Sequence, residues 1–199
     1  MMESLLYTLA LLVYLMVPPS FLYWLFVHPF IGVWRRLGER TSYIFLWLLI
    51  LSIAIVLFLF RHHALALHAP VSFWHVYSGG LLLLVGLVIR LRIKQDLPVK
   101  GLIGSAEIQG SQDPETLVTS GLYARLRHPR YVQMFLVLLG YALITNYFAI
   151  YVIWLLYLPV ILLVIFLEER ELLKRYGESY REYRRRVPML IPHLGRWQD

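Results

Sequence analysis

The sequence contains no cysteine. That excludes a disulfide framework and a thiolate metal site, and it leaves the redox compartment unreadable. Charge is also scarce: charged residues make up 16% of the 199, and acidic ones number 12 against 19 basic. The net charge of +7 could suggest a nucleic-acid partner, but the basic residues lie in the connections between apolar runs, which is how membrane topology is written. No nucleic-acid partner is expected. Glu3 stands where a cleavable signal peptide would carry basic residues, and the apolar stretch after it is long enough to span, so no such peptide is expected.

What is abundant is apolar sequence. Hydrophobic residues make up 59% of the chain and the mean hydropathy is +0.64. Runs of about twenty such residues imply an all-α integral membrane protein. The first run, 5–27, is interrupted by Pro18-Pro19, which should kink or split it. The second, 43–60, is followed by Arg61-His62-His63, then His68 and His75. Four histidines invite a zinc site, but with no acidic partner nearby and no repeated i,i+4 pair, interfacial histidines are the better reading and no metal is expected. The third run, 76–89, carries Gly79, Gly80 and Gly86, which permit close helix approach. The polar stretch 96–120 is too long for a simple connector and reads as a functional loop. The nearly unbroken apolar run 131–167 is too long for one span and short for two. Thr145-Asn146 interrupts it, so a helical hairpin with a short first arm is predicted there.

The basic residues set the topology. Three lie in the first connection, seven in the third and eight in the tail, against one in the second and none at the N-terminus or the hairpin turn. About five transmembrane helices, with the N-terminus outside and the C-terminus cytoplasmic, fit this alternation. The chain then reads as one membrane domain over 1–199: spans in 1–95, a cytoplasmic loop in 96–130, the helical hairpin in 131–167 and a cytoplasmic amphipathic tail in 168–199. Such an arrangement is expected in the cell inner membrane.

Three features carry candidate chemistry. In the run 121–131, Arg125, Arg127 and Arg130 surround His128, and Pro129 sits where a helix accepts proline, in its first turn. Convergent guanidiniums, an imidazole and helix N-terminal amides would seat an anion; a positive-inside anchor needs only the arginines. Glu168 and Glu169 follow the last span without a spacer. A carboxylate pair there is expensive unless paired or functional, and could hold a ribose diol, a sulfonium or an amine; the simpler alternative is that the chain has reached water. In the tail, Leu172, Leu173, Tyr176, Tyr180, Tyr183 and Val187 recur at three- and four-residue steps, with Gly177 ending the first helical piece. This stripe could rest on anionic lipid or close over the arginine and histidine cluster. The segment 187–192 is extended by its prolines and could lie in a helix groove or under a planar ligand.

Taken together, Gly121-x-Tyr123-x-x-x-Arg127-His128-Pro129-x-Tyr131, an apolar hairpin, Glu168-Glu169, Tyr176-Gly177-x-x-Tyr180-x-x-Tyr183 and Arg186-Val187-Pro188-x-Leu190-Ile191-Pro192 resemble the isoprenylcysteine carboxyl methyltransferase family. Its bacterial and archaeal relatives and the phospholipid methyltransferases share the pattern. The resemblance covers the C-terminal half, from Leu117 onward. It implies a membrane-embedded enzyme using S-adenosylmethionine. Tyr123, Arg127, His128, Pro129 and Tyr131 would line the cofactor cleft, with Glu168 or Glu169 beneath the ribose or amino group. Tyr180, Tyr183 and Ile191 would close the adenine side. His128, Arg127 and Glu169 are the implied catalytic residues, with His128 or Glu169 the nearest base where the nucleophile carries a proton. A lipid-like or prenylated acceptor would enter laterally from the bilayer.

Two positions depart from the family pattern. Gln133 stands where a glycine is usual, and 164–167, Val-Ile-Phe-Leu, lacks the arginine that prenylcysteine enzymes tend to place before the glutamate pair. A lipid phenol, amine or thiol thus stays open beside a carboxylate. Sterol reductases, which bind NADPH, carry a similar Arg-His-Pro-x-Tyr block but are much longer; a non-enzymatic lipid-binding membrane protein is the other alternative.

Overall fold

The computed structural model describes residues 2–27, 29–96 and 117–192. In hydrocarbon every backbone N–H and C=O must find a partner within its own segment, and the apolar runs accordingly form helices. These are α1 (Met2–Val27), α2 (Ile31–Leu37), α3 (Glu39–Ala64), α4 (Phe73–Asp96), α5 (Pro129–Thr145), α6 (Phe148–Tyr176) and α7 (Glu178–Arg186), with a single 3-10 turn, Gly121–Ala124, ahead of α5. Among the described residues the only extended pairing is an isolated bridge between His68 and Tyr147. Four helices, α1, α3, α4 and α6, are long and apolar enough to cross a bilayer, and α5 is a shorter apolar helix. At 17 residues, α5 is about 25 Å long, short of a hydrocarbon core of about 30 Å. The chain is a multi-pass, all-α membrane protein.

α1, α5 and α6 form the centre, α3 packs chiefly on α1, and α4 packs chiefly on α5. The main core joins Ala10, Val13 and Tyr14 of α1 to Leu138 and Ala142 of α5 and Tyr157, Ile161 and Val164 of α6. The outer helices show their large side chains to the surroundings: Trp47, Leu51 and Leu59 on α3, and Leu84 and Leu87 on α4, are all more than half exposed. Such a surface is intolerable in water and suits lipid.

The α4–α5 contact is the most extensive between the described helices, and glycine lets the two backbones approach. A Cβ on Gly79 would stand 2.7 Å from the Gly140 carbonyl oxygen and 2.7 Å from Ile144 Cγ1, and one on Gly140 would stand 2.9 Å from the Gly79 carbonyl oxygen. Gly86 meets Val137 in the same seam, whereas Gly80 faces open space. Two of the three glycines singled out on this run therefore serve helix approach.

The hairpin turns where expected. Asn146 ends α5 in the left-handed conformation, φ 54°. Its Nδ2 donates to the carbonyls of Ala69 (3.2 Å) and Pro70 (3.0 Å), and its Oδ1 accepts from the Tyr151 hydroxyl (3.1 Å). The amides of Ala69 and Phe148 bond to Asn146 O and Leu67 O. One residue thus ties the α3–α4 turn to the α5–α6 turn. The four histidines do not gather: His62 and His63 lie in the last turn of α3, His68 stacks on Tyr147, and His75 bonds to the Ser72 hydroxyl at the start of α4. Among the described residues no three potential ligands come together for a metal.

Three expectations need correction. Pro18 and Pro19 do not split the first run; α1 is one helix through both, because losing two intrahelical hydrogen bonds costs less than exposing an interrupted backbone to hydrocarbon. Arg36 and its neighbours do not form a plain loop, since 31–37 is helical and Trp34 Nε1 bonds back to the Phe26 carbonyl. The glutamate pair does not follow the last span but lies inside α6, which runs on to Tyr176. Residues 97–116 of the polar stretch read as a functional loop lie outside the described residues.

Candidate active site

The site forms where the start of α5 meets the far part of α6 and the returning tail. The chain enters through the 3-10 turn, with Gly121 at φ 60°, and places His128 at the N-cap of α5 and Pro129 at its first helical position. Proline has no N–H to lose there. Tyr131 follows His128 by three residues, on the same helix face, and the two rings stack with centroids 5.7 Å apart.

On α6 a buried stripe, Tyr157, Ile161, Val164 and Ile165, faces the core. Glu168 and Glu169 follow Val164 and Ile165 by four residues each, so the helix that buries the stripe also turns the two carboxylates inward. The Tyr157 hydroxyl donates to the Tyr131 carbonyl (3.0 Å), fixing the first turn of α5 against α6.

The charged groups then meet. Glu169 Oε1 pairs with Arg127 and stands 3.2 Å from His128 Nε2; its Oε2 stands 3.4 Å from Arg184 Nε of α7. Glu168 Oε2 accepts from the Tyr131 hydroxyl (2.7 Å) and lies 3.7 Å from His128 Nδ1. His128 therefore sits between the two carboxylates, only 5% exposed. Arg184 is the water-side member, its side chain 51% exposed, beside an open groove lined by Leu173, Arg181, Arg184 and Arg185.

The tail closes over this cluster. Gly177, at φ 56°, ends α6 and starts α7, a backbone conformation that favours glycine. Tyr180, Tyr183 and Val187 are buried against Leu172, Leu173, Tyr176 and Leu117. The Tyr183 hydroxyl donates to the Tyr123 carbonyl (2.7 Å). The segment after α7 is held by the backbone: the amides of Arg127 and His128 bond to the carbonyls of Pro188 (2.9 Å) and Met189 (3.2 Å). Burial pushes the Tyr183 phenol up to about 12 and raises that of Tyr180 as well, with the Glu169 charge adding to the latter, so both stay neutral. Two buried polar atoms at the cluster, Arg127 Nε and the Tyr180 hydroxyl, make no hydrogen bond of acceptable geometry. A ligand's polar groups could satisfy both.

Arg127, His128, Pro129, Tyr131, Glu168, Glu169, Tyr180 and Tyr183 thus come together, and Tyr123 contributes its carbonyl. Ile191 does not join them; it is 79% exposed at the outer edge of the strap. The anion seat also needs correction. The arginines do not converge: Arg127 turns inward, while Arg130 lies over the Trp24 ring of α1, 5.5 Å from its centroid. Arg127 and His128 are answered by carboxylates, so the cluster is an ion-paired knot and not a free positive pocket. Two contributors went unread in the sequence. Arg184 lies four residues beyond Tyr180 and Tyr157 eleven before Glu168; both spacings return to the same helix face and could have flagged them.

A family model described as phospholipid methyltransferase matches residues 74–179. Among known proteins, the chain is 39% identical over 84 residues to a methanethiol S-methyltransferase of Crocosphaera subtropica, covering 42% of this chain and 32% of that protein. It is 39% identical over 77 residues to a protein-S-isoprenylcysteine O-methyltransferase of Schizosaccharomyces pombe, covering 38% and 33%. A shorter stretch of 34 residues is 53% identical to methanethiol S-methyltransferase 2 of Bradyrhizobium diazoefficiens, covering 17% and 13%. The chain thus spans about a third or less of the length of these relatives. No solved structure matches it.

Proposed function

The chain belongs to the phospholipid methyltransferase family, and from that premise we propose that it is a membrane-embedded methyltransferase that uses S-adenosylmethionine and acts on a lipid-like acceptor. The observation that carries the reading is the charge balance of the buried knot. Among the described residues Glu168 and Glu169 face a single buried guanidinium, Arg127, beside the His128 imidazole, and the other guanidinium in contact, Arg184, is half in water. Such a knot is tuned to receive a cation, and S-adenosylmethionine, when bound, supplies a sulfonium whose methyl group is electrophilic. The donor set fits it: Glu169 offers charge and hydrogen-bond acceptance to an amino group or ribose, Arg127 Nε and the Tyr180 hydroxyl offer buried donors, and Tyr180 and Tyr183 offer apolar faces to a planar base. The chain's own part is to orient, to exclude water through α7 and the 187–190 strap, and to supply fixed charge.

The proposed placement has the N-terminus outside and the site at the cytoplasmic face of the cell inner membrane. The distribution of basic residues supports it. A cysteine put in place of Leu67, 66% exposed in the α3–α4 turn, should react with an impermeant reagent only from outside; reaction only from the cytoplasmic side reverses the orientation.

The cofactor is tested by titrating the purified protein, in lipid nanodiscs, with S-adenosylhomocysteine and separately with NADPH. Saturable binding of the first alone is expected, and Glu169→Gln should weaken it by about ten- to a hundredfold, the cost of one charge-assisted hydrogen bond. Binding of NADPH alone would make the protein a reductase, and binding of neither would leave it a lipid-binding protein.

A further inference from the structure

The two carboxylates are adjacent in sequence but differently engaged. Glu169 is locked: Oε1 faces Arg127 and His128, Oε2 faces Arg184, and its side chain is 9% exposed. A carboxylate whose oxygens are taken by cations is a good electrostatic ligand and a poor proton acceptor. Glu168 is the reverse. Its contacts, Tyr131 and His128, both fall on Oε2. Oε1 has no partner among the described residues, and the side chain is 27% exposed. Among the described residues, Oε1 is therefore the open carboxylate oxygen of the knot.

From this asymmetry, and resting on the methyl-transfer reading above, the geometry points to Glu168 as the general base of the reaction and to an acceptor whose nucleophile arrives protonated, of which a long-chain thiol is the member tested. A carboxylate acceptor would need no base, and an open carboxylate oxygen beside it would only repel it. In the step, Glu168 Oε1 takes the proton of the thiol. The sulfur electron pair forms the new S–CH3 bond as the bond between that methyl and the donor sulfonium breaks, giving two neutral thioethers. The proton then leaves Glu168 for water. Every charged or titratable neighbour has a part. Tyr131 and His128 from the α5 side hold Oε2 and so aim Oε1, while Arg127, Glu169 and, from α7, Tyr180 and Arg184 form the cation-binding side. Two adjacent carboxylates in unlike surroundings divide the roles of charge and base.

The test compares the native protein with Glu168→Gln in nanodiscs, using dodecanethiol, protonated at neutral pH, and a long-chain 4-alkylthiophenol, largely ionised there. S-Adenosylhomocysteine affinity, read by calorimetry, should fall by less than about tenfold in the variant, because Glu168 adds to the charge of the knot while Glu169 makes the direct contact. Methylation of dodecanethiol by the variant should fall by about 10²- to 10⁴-fold, the usual worth of a positioned base. Methylation of the ionised thiophenol, which needs no base, should fall by less than about tenfold. Equal loss with both thiols, or loss with neither, would overturn the assignment of Glu168. Native protein that binds S-adenosylhomocysteine but methylates neither thiol would overturn the acceptor class alone, whereas failure to bind S-adenosylhomocysteine would remove the functional reading beneath it.

Discussion

Arg127→Met is expected to destabilise the protein by about 3–5 kcal/mol and to abolish S-adenosylhomocysteine binding. The guanidinium is buried against Glu169, its side chain 10% exposed. Removing it strands a carboxylate that only His128 and the half-exposed Arg184 can answer. Removing both partners is a different experiment. Arg127→Met combined with Glu169→Met leaves no uncompensated charge from this pair, and most of the stability should return, because a buried ion pair gains little over apolar groups of similar volume. Binding should not return. Thermal unfolding of the two single variants and the double variant in nanodiscs, with calorimetry beside it, reads both quantities. Stability losses that simply add in the double variant would mean that Arg127 and Glu169 are not coupled. A stable double variant that still binds would mean that the knot is structural and that the cofactor is held elsewhere.

That division between what a pair does for the fold and what it does for a ligand also marks what could be read in the sequence. Hydropathy located the helices because in lipid the backbone has few alternatives; the hairpin at Thr145-Asn146 and the break at Gly177 followed from single residues with special backbone roles. The site was legible as separate blocks. Arg127, His128 and Tyr131 are neighbours in sequence, and so are Glu168 and Glu169, but nothing in either block says which carboxylate oxygen meets which cation. That depends on how far α6 runs past the apolar stretch. Its unbroken apolar run ends at Leu167 while the helix continues for two and a half turns to Tyr176, carrying the glutamates back against α5. Periodicity could not weigh this, since the residues beyond 167 are polar enough to be read as tail. The anion seat failed for the same reason: a count of arginines is a statement about charge along the chain, and Arg130 turns to Trp24 while Arg127 turns to Glu169. Of the two outcomes expected at Pro18-Pro19, the split failed in the opposite sense, because a rule framed for helices in water does not carry the cost of breaking a helix in hydrocarbon.

The acceptor should show the bilayer's part in the reaction. α1 and α4 both pack on α5, and every residue of α5 is buried or half-buried, so the proposed tail would have to enter along the seams between these helices. Inward from the knot the walls are apolar and aromatic: Phe21 lies 5.2 Å from Tyr157 and Phe135 lies 5.0 Å from Trp154, centroid to centroid. A tail laid along these walls leaves the reactive atom at the level of Tyr131 and Glu168, near the headgroups. Each methylene transferred from water to such walls contributes about 0.8 kcal/mol. Along a homologous series of acceptors with one reactive group, shortening the chain by four carbons should therefore cost about 3 kcal/mol, or roughly two hundredfold in kcat/KM. The loss should appear in KM and leave kcat nearly unchanged, because tail contacts are the same in the ground state and the transition state. The series should end on methanethiol as the poorest member, even though two relatives are named for that substrate. If methanethiol is methylated as efficiently as the long-chain thiol, the tail has no binding site, entry from the bilayer is wrong, and the acceptor reaches Glu168 through the open groove beside Arg184.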